Sequence, residues 1–177
     1  DVRATMPPLL GFLHAAMVLD DAAVHLLARA RLDRVLAPKL AGAWHLHRLT
    51  LADPLTHFIV YSSATVMFGN PGQGNYVAAN QVLQAFAQWR RAQGLPALSV
   101  AWGAIRDVGV VTRIEGLEEM LQKRSGIAAL DAAEALQELG LAMARGEVAA
   151  SVSALDMSRG AMLATVRAPR MVALRPG

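Results

Sequence analysis

The sequence predicts an α/β fold in which a parallel sheet is covered by helices. Three short and almost continuous apolar runs support this prediction, because parallel strands buried on both faces lack the alternation of half-exposed strands. Helical patterns separate the runs, and such alternation is typical of a parallel sheet. The runs lie at residues 9–13, 58–61 and 98–103.

Composition limits the classes of protein to consider. The chain has 177 residues, which suits one domain, and its 54% hydrophobic content allows a substantial core. No apolar run reaches the roughly 18 residues that predict a membrane span. The sequence has no cysteine, which excludes disulfides and cysteine catalysis and favours a cytoplasmic location. A net charge of +3 without a dense basic block argues against nucleic-acid binding.

The N-terminal half reads as a strand followed by a long helical region. The strand at 9–13 leads into residues 22 to about 50, where Ala, Leu and Arg dominate. Pro38 predicts a break or a new helix start within this region. Residues at helical spacing after Pro38 predict one helix face, formed by Leu40, Ala43, Trp44 and His47.

The C-terminal half predicts two more helices and two more strands. A helix over 76–93 precedes Gly94, a plausible C-cap, and the strand at 98–103 follows. Residues 104–126 are less regular. We expect a helix over 130–145, a last strand over 148–155 and an interdomain linker over 157–177.

Residues 58–80 contain the candidate site. Ser63 follows the predicted strand, Tyr76 opens the next helix, and Asn80 lies one turn later on the same helix face. Ligands of open α/β sheets bind at the carboxyl ends of the strands. The Ser63 hydroxyl and the Tyr76 phenol can therefore face one cleft.

Two other site types receive little support from the sequence. Residues 69–74 read G-x-x-G-x-G rather than the dinucleotide fingerprint G-x-G-x-x-G, and no acidic residue follows until Asp107. We therefore interpret this loop as a turn whose backbone conformation places Tyr76 at the site. The histidines show no metal-ligand spacing; they are His14, His25, His45, His47 and His57.

The central stretch resembles the active-site segment of the short-chain dehydrogenase/reductase superfamily and, more narrowly, the ketoreductase domain of modular polyketide synthases. Ordinary members have a Lys four residues after the Tyr, where this chain has Asn80. Polyketide ketoreductases are similar to this chain in having the Lys earlier, here Lys39 in LAPKLAGAWHLH. Two further segments resemble the family: residues 14–21, HAAMVLDD, and residues 94–103, GLPALSVAWG.

The resemblance covers roughly residues 9–160 and implies a Rossmann-like, doubly wound parallel sheet with helices on both faces. The fold is expected to be partial, because the four predicted strands match the family's fourth to seventh. Residues 1–156 would be the C-terminal part of a ketoreductase domain without its glycine-rich cofactor-binding half. The chain starts without a Met, and we expect that half upstream or as a separate chain; without it, one sheet edge would be bare.

The resemblance also implies the chemistry. Reduction of a ketone needs a hydride, which NADPH supplies, and a proton, which the Tyr76 phenol would donate. The Lys39 ammonium would lower the pKa of that phenol. Ser63 would hydrogen-bond the substrate oxygen, and Asn80 would hold an ordered water or Lys39.

Cofactor, substrate and partners follow from the same resemblance. The substrate would be a 3-ketoacyl thioester tethered to an acyl carrier protein, and neighbouring synthase domains are expected partners. The residues that discriminate NADPH from NADH belong to the absent half. Cofactor-binding positions would be His14, Ala15, Ala16, Lys39, Tyr76, Trp102 and Gly103.

Stereochemistry can be predicted from two positions. An LDD motif, here Leu19, Asp20 and Asp21, accompanies the D-configured 3-hydroxyacyl product (B-type) in the family. Phe68 stands where the opposite type has a Trp. Met17 departs from the family's usual Gly, and its bulk would alter the backbone that meets the cofactor.

Two alternatives stay open. One is a free-standing short-chain alcohol dehydrogenase, against which the Lys39 placement and the Trp102-Gly103 segment argue. The other is a scaffold or interaction fragment of a megasynthase without turnover. The missing half favours the scaffold for this chain, whereas the complete set of Ser63, Lys39, Tyr76 and Asn80 favours catalysis for its parent.

Overall fold

A computed structural model describes residues 2–109 and 127–155, together with residues 112, 116, 118, 119, 121 and 123. The expected linker at 157–177 lies outside these residues. The chain divides into two compact units. The first unit comprises residues 1–101 and 141–151, and the second comprises residues 102–140 and 152–177.

Four strands form the main sheet, in the order β1-β2-β3-β5. β1 (Gly11–His14) pairs in parallel with β2 (His57–Ser63), and β3 (Leu98–Trp102) is buried along its whole length. β5 (Ala149–Val152) follows β3 in the order. The predicted parallel sheet with flanking helices is thereby confirmed.

The predicted last strand over 148–155 is wrong as a single element. β5 ends at Val152, and β6 (Ala154–Leu155) pairs antiparallel with β4 (Ile127–Ala128) in a separate two-stranded sheet. The interruption falls at Ser153 in a run of small residues, where no Gly or Pro gives a break signal. A two-residue strand such as β4 is too short to give a periodic pattern.

The predicted helical region at 22–50 is a succession of different helices. A 3₁₀ turn covers Val24–Leu26, and α2 covers Arg29–Leu36. A π-helical turn over Ala37–Ala41 joins α2 directly to α3 (Gly42–Leu49). Pro38 therefore neither breaks the helix nor starts a new α-helix. It lies at the start of the π-helical turn.

The remaining helices follow the sequence pattern closely. α5 covers Gly74–Ala92, two residues longer at its start than predicted, and Gly94 follows it with a φ of 74°. That left-handed conformation explains why Gly is favoured there. Helices outside this pattern are α1 (Val2–Thr5) and α4 (Thr65–Phe68), and the predicted helix near 130–145 is α6 (Ala132–Ala144).

The core of the first unit joins β2 to α5. Phe58 and Val60 of β2 pack in one buried cluster with Leu83 and Phe86 of α5 and with Ala43 of α3. Full burial of such large side chains stabilises a fold by about 1.5–3 kcal/mol each. This cluster fixes where α5 begins relative to the end of β2. Among the helices that the structure describes, none is long and apolar enough to cross a membrane.

Candidate active site

The end of β2 and the first turn of α5 hold the candidate site. Ser63 is the last residue of β2, Tyr76 lies in the first turn of α5, and Asn80 follows one turn later. Since β2 and α5 pack against each other in the core, these positions are fixed in relation to one another. The sequence pattern predicted both locations.

Lys39 lies in the π-helical turn and is 2% exposed. Its Nζ donates a hydrogen bond to the main-chain O of Tyr61 at 2.9 Å and lies 5.6 Å from the ring centroid of Tyr76. Burial lowers the pKa of Lys39 to about 8. A π turn inside an α-helix often marks a functional site, and here it carries the one buried lysine among the described residues.

Burial raises the pKa of the Tyr76 phenol. The side chains of Asn80 and Ser63 act in the opposite direction, and the charge of Asp21 adds to the rise. The expected lowering of this pKa by Lys39 is therefore not what dominates here. A raised pKa keeps the phenol protonated near neutral pH, which is the form that can donate a proton.

Met17 contacts the Tyr76 hydroxyl directly. The hydroxyl donates to Met17 Sδ at 3.9 Å, a weak sulfur hydrogen bond. The Met17 side chain is 37% exposed. The position where the resemblance implies a Gly is thus occupied by a side chain that reaches the phenol.

Asn80 is fully buried and only partly satisfied. Its Nδ2 donates to the main-chain O of Tyr76 at 2.8 Å, and its own main-chain O accepts a bond from Ser62 Oγ. Its Oδ1 has no hydrogen-bond partner among the described residues. Because a buried acceptor without a partner costs about 1–3 kcal/mol, this atom indicates a place for a water or a ligand donor.

Ser63 presents its hydroxyl as an acceptor to Thr65. Ser63 Oγ accepts from Thr65 N at 3.3 Å and from Thr65 Oγ1 at 3.2 Å. Neither contact uses the hydroxyl hydrogen of Ser63. The hydroxyl also hydrogen-bonds the Tyr76 phenol and acts to lower its pKa, so Ser63 and Tyr76 face the same space.

The last residue of β1 lies beside the Lys39 turn. His14 is buried, and its Nε2 lies 3.2 Å from the main-chain O of Lys39. A Cβ on Gly42 would come within 2.9 Å of the His14 ring, so these two segments of the backbone approach each other closely. Ala15 and Ala16, the next two predicted cofactor positions, are exposed.

Trp102 and Gly103, the other predicted cofactor positions, belong to the second unit. Trp102 is buried. A Cβ on Gly103 would lie 2.8 Å from Ser153 Oγ and 3.1 Å from Ser153 Cα. The absence of a side chain at Gly103 is therefore required by the approach of Ser153.

Asp20 and Asp21 bind other protein groups. The Asp20 carboxylate accepts a hydrogen bond from Arg31 Nη1 at 2.8 Å and forms an ion pair with Arg34 Nη1 at 3.2 Å. Asp21 Oδ2 accepts from Gln73 Nε2 at 2.8 Å. The third residue of the motif, Leu19, is 38% exposed. Phe68, the other predicted stereocontrol position, ends α4 and is half-buried.

A family model described as KR domain matches residues 1–107, which is more than half of the chain. The chain belongs to the KR domain family. The predicted resemblance to polyketide synthase ketoreductases of the short-chain dehydrogenase/reductase superfamily is thereby confirmed.

Relatives of this KR chain are large synthases. It is 42% identical over 171 residues to the polyketide synthase GfsB of Streptomyces halstedii, a match that covers 96% of this chain and 3% of that protein. The chain thus spans a small fraction of the length of its curated relatives.

Solved structures of ketoreductases are similar over nearly the whole KR chain. The ketoreductase from the first phoslactomycin module of Streptomyces sp. HK803 has a TM-score of 0.88 and 32% identity. That match covers 99% of this chain and 41% of the other. A structure of A-type ketoreductases from a modular polyketide synthase has a TM-score of 0.82 and 35% identity, covering 97% and 38%.

Sequence reasoning missed several residues that organise this KR site. Asn75 is 1% exposed and donates to the main-chain O of Asp20 at 2.8 Å. Gln73, Arg31 and Arg34 bind the two aspartates of the LDD motif. Asn75 directly precedes Tyr76, and this adjacency was the one available signal; the arginines are far from the motif in sequence and gave none.

Proposed function

We propose that this chain is the catalytic later half of an NADPH-dependent ketoreductase. It would reduce the 3-ketoacyl thioester of a polyketide or fatty acyl chain, carried by an acyl carrier protein, to the 3-hydroxyacyl thioester. The observation that carries the proposal is the arrangement of Lys39, Ser63, Tyr76 and Asn80 around the end of β2 and the start of α5. Membership in the KR domain family supports it.

The donors and acceptors of the site fit a bound nicotinamide cofactor. Lys39 uses one of its three N–H donors on Tyr61 O, which leaves others for ribose hydroxyls. The unpartnered Oδ1 of Asn80 can accept from an ordered water. When bound, NADPH supplies a hydride to the ketone carbon. Within the first unit, we assign its contacts to His14, Ala15, Ala16, Lys39 and Tyr76.

The side chains of the site supply the proton and stabilise the oxygen that receives it. Tyr76 donates its phenolic proton to the carbonyl oxygen as negative charge develops there. The hydroxyl of Ser63 donates a second hydrogen bond to the same oxygen. With a pKa of about 8, Lys39 is mostly charged near neutral pH and can return a proton toward Tyr76.

The proposal includes B-type stereochemistry, with a D-configured 3-hydroxyacyl product. The LDD motif and Phe68 support it, because Phe68 replaces the Trp of the opposite type. The A-type assignments among the solved structures describe those proteins and are not carried over to this chain. An L-configured product from the intact domain would refute this part.

We also propose that the site works within a larger assembly. The relatives are multidomain polyketide synthases, which supports neighbouring synthase domains and a carrier protein as partners. The glycine-rich half that grips the cofactor's phosphates would be supplied upstream or by another chain.

A non-catalytic role is the second candidate, and Met17 is the observation that favours it. Its Sδ lies against the Tyr76 hydroxyl, where a substrate oxygen would need to bind. In that case the chain would serve only as a scaffold within the synthase.

The test restores the upstream half and measures NADPH consumption with a 3-ketoacyl N-acetylcysteamine thioester. Tyr76→Phe removes the proton donor, and we expect turnover to fall by about 10²–10⁴-fold. Tyr61→Phe is the matched control, because it makes the same change two strand positions before Ser63 and keeps the carbonyl that Lys39 uses. Full turnover by Tyr76→Phe would refute the assignment, and no turnover by the unmodified protein would favour the scaffold.

A further inference from the structure

The side chain of Asn75 connects two parts of the candidate site. It is 1% exposed, and both of its polar atoms are used. Nδ2 donates to the main-chain O of Asp20 at 2.8 Å, and Oδ1 accepts from the main-chain N of Tyr76 at 2.9 Å. The first N–H groups of a helix have no partner within the helix, and Asn75 satisfies one of them at Tyr76.

Asp20 is itself held in place by helix α2. Its carboxylate accepts a hydrogen bond from Arg31 Nη1 at 2.8 Å and forms an ion pair with Arg34, whose Nη1 lies 3.2 Å from Oδ2. The Asp20 side chain is 13% exposed. Arg31 Nη1 also donates to the main-chain O of Asp21 at 3.2 Å. The two arginines thereby hold the backbone of Asp20, whose carbonyl accepts the hydrogen bond from Asn75.

Further hydrogen bonds join the same two segments beside this contact. Ala22 N donates to Gly72 O at 2.8 Å. Gln73 Nε2 donates to Asp21 Oδ2 at 2.8 Å, and Gln73 Oε1 accepts from Asn70 Nδ2. The loop before Tyr76 and the LDD segment therefore lie side by side and are connected by several hydrogen bonds. The bond from Asn75 is the buried one at the end of this series.

We propose that Asn75 is a positioning residue, which sets the place of the Tyr76 phenol by locking the first turn of α5 onto an Asp20 backbone held by Arg31 and Arg34. The inference rests on the proposed ketoreductase function. Asn75 touches neither substrate nor cofactor in this account. Its effect passes through Tyr76, whose hydroxyl must meet the ketone oxygen, and through the LDD segment that lies opposite.

The test uses the intact ketoreductase with its upstream half. Asn75→Asp keeps the acceptor for Tyr76 N but removes the donor to Asp20 O, and Asn75→Ala removes both. We expect kcat to fall by about 10–100-fold, because small misplacements of a reacting group have effects of this size. KM for NADPH should change by less than kcat does, because Tyr76 is one of several proposed cofactor contacts but the only proposed proton donor. The D-configured excess of the product should also fall.

A second arm tests the arginines without touching the buried amide. Arg31→Met with Arg34→Met should lower kcat in the same direction, and Arg31→Lys with Arg34→Lys should restore part of it. Arg48→Met, an exposed arginine of α3, is the matched control. Melting curves show whether each variant is folded; if Asn75→Ala is unfolded, the arginine pair decides.

The possible outcomes separate this inference from the proposed function. Loss of turnover in Tyr76→Phe together with unchanged kcat and product configuration in the Asn75 variants overturns the positioning role alone. Retained turnover in Tyr76→Phe overturns the function itself. A fall in apparent kcat that matches the lost fraction of folded protein, with an unchanged product configuration, shows a purely structural Asn75 and also overturns the inference.

Discussion

The Lys39 ammonium reaches the main-chain carbonyl of Tyr61, with 2.9 Å between Nζ and O. A single hydrogen bond to this neutral oxygen compensates only in part for the water that the ammonium loses on burial. No carboxylate among the described side chains pairs with Lys39. Burial therefore disfavours the charged form and lowers the pKa from 10.5 to about 8. Lys39, which the proposed site needs, consequently destabilises the folded state.

The first prediction is that Lys39→Met stabilises the domain while abolishing reduction. Below pH 8 the lysine is charged in both states, and the folded state bears the full penalty. Between pH 8 and 10.5 only the unfolded state keeps the proton, so stability rises with pH. At neutral pH the variant should gain on the order of 2–3 kcal/mol of unfolding free energy.

Urea unfolding between pH 7 and 10.5 checks this. Lys123→Met is the control, because the Lys123 side chain is 72% exposed and should show no such gain. Equal unfolding free energies for Lys39→Met and the unmodified domain at pH 7 would contradict the prediction.

The second prediction concerns His47 and Arg90, a buried pair between α3 and α5. Arg90 donates to His47 Nδ1, and its guanidinium lies 3.7 Å from the Phe58 ring centroid. Burial and the nearby charge of Arg90 lower the pKa of His47. The unfolded state then binds more protons just below pH 6.5, so stability should fall as the pH drops from 6.5 toward the lowered pKa.

His47→Phe should remove that acid sensitivity and cost about 1–3 kcal/mol at pH 7.5, because Arg90 loses an acceptor. His45→Phe, an exposed position two residues away, should change neither quantity. Denaturant unfolding at pH 5.0 to 7.5 gives both. A pH dependence that survives in His47→Phe would show that other groups carry it.

The third prediction compares two glycines of the second unit. A Cβ on Gly103 would lie 2.8 Å from Ser153 Oγ and 3.1 Å from Ser153 Cα, so Gly103→Ala should cost about 1–3 kcal/mol. A Cβ on Gly140, within α6, meets nothing within 4 Å. Gly140→Ala should stabilise by about 1 kcal/mol through helix propensity. Thermal unfolding of both variants should show shifts of opposite sign.

The fourth prediction concerns Met17. Replacing it with the family's usual residue, Met17→Gly, frees the Tyr76 hydroxyl from the 3.9 Å sulfur contact. We expect kcat/KM for the thioester to rise by about 2–10-fold, equivalent to about 0.4–1.4 kcal/mol. Met17→Leu keeps the bulk and should change little. A loss of activity in Met17→Gly would instead show that the sulfur helps to hold the phenol.

The sequence was sufficient to locate Ser63, Tyr76 and Asn80, because local patterns decide where a buried strand ends and an amphipathic helix begins. It identified Lys39 only through the family resemblance. The π-helical turn that buries Lys39 depends on how α2 and α3 pack, which is tertiary information. A proline at the start of that turn reads from sequence as a helix break.

The contacts of Asp20 were beyond the reach of sequence patterns for a similar reason. Its partners Arg31 and Arg34 are eleven and fourteen positions away, and Asn75 is farther still. Charged and amide side chains give no periodic signal across such separations. The interruption at Ser153 was missed because small residues suit strands and turns almost equally.

The wide turn at Ala37–Ala41 has a consequence for chain length. A π turn accommodates one residue more than an α turn, and each residue rotates an α-helix by about 100°. The helix before the turn and the helix after it are therefore offset by that angle, which lets the turn direct Lys39 to Tyr61 while α3 buries Ala43 and His47. Deleting the single residue Ala41 would leave every side-chain chemistry intact and still turn the amine away from the phenol.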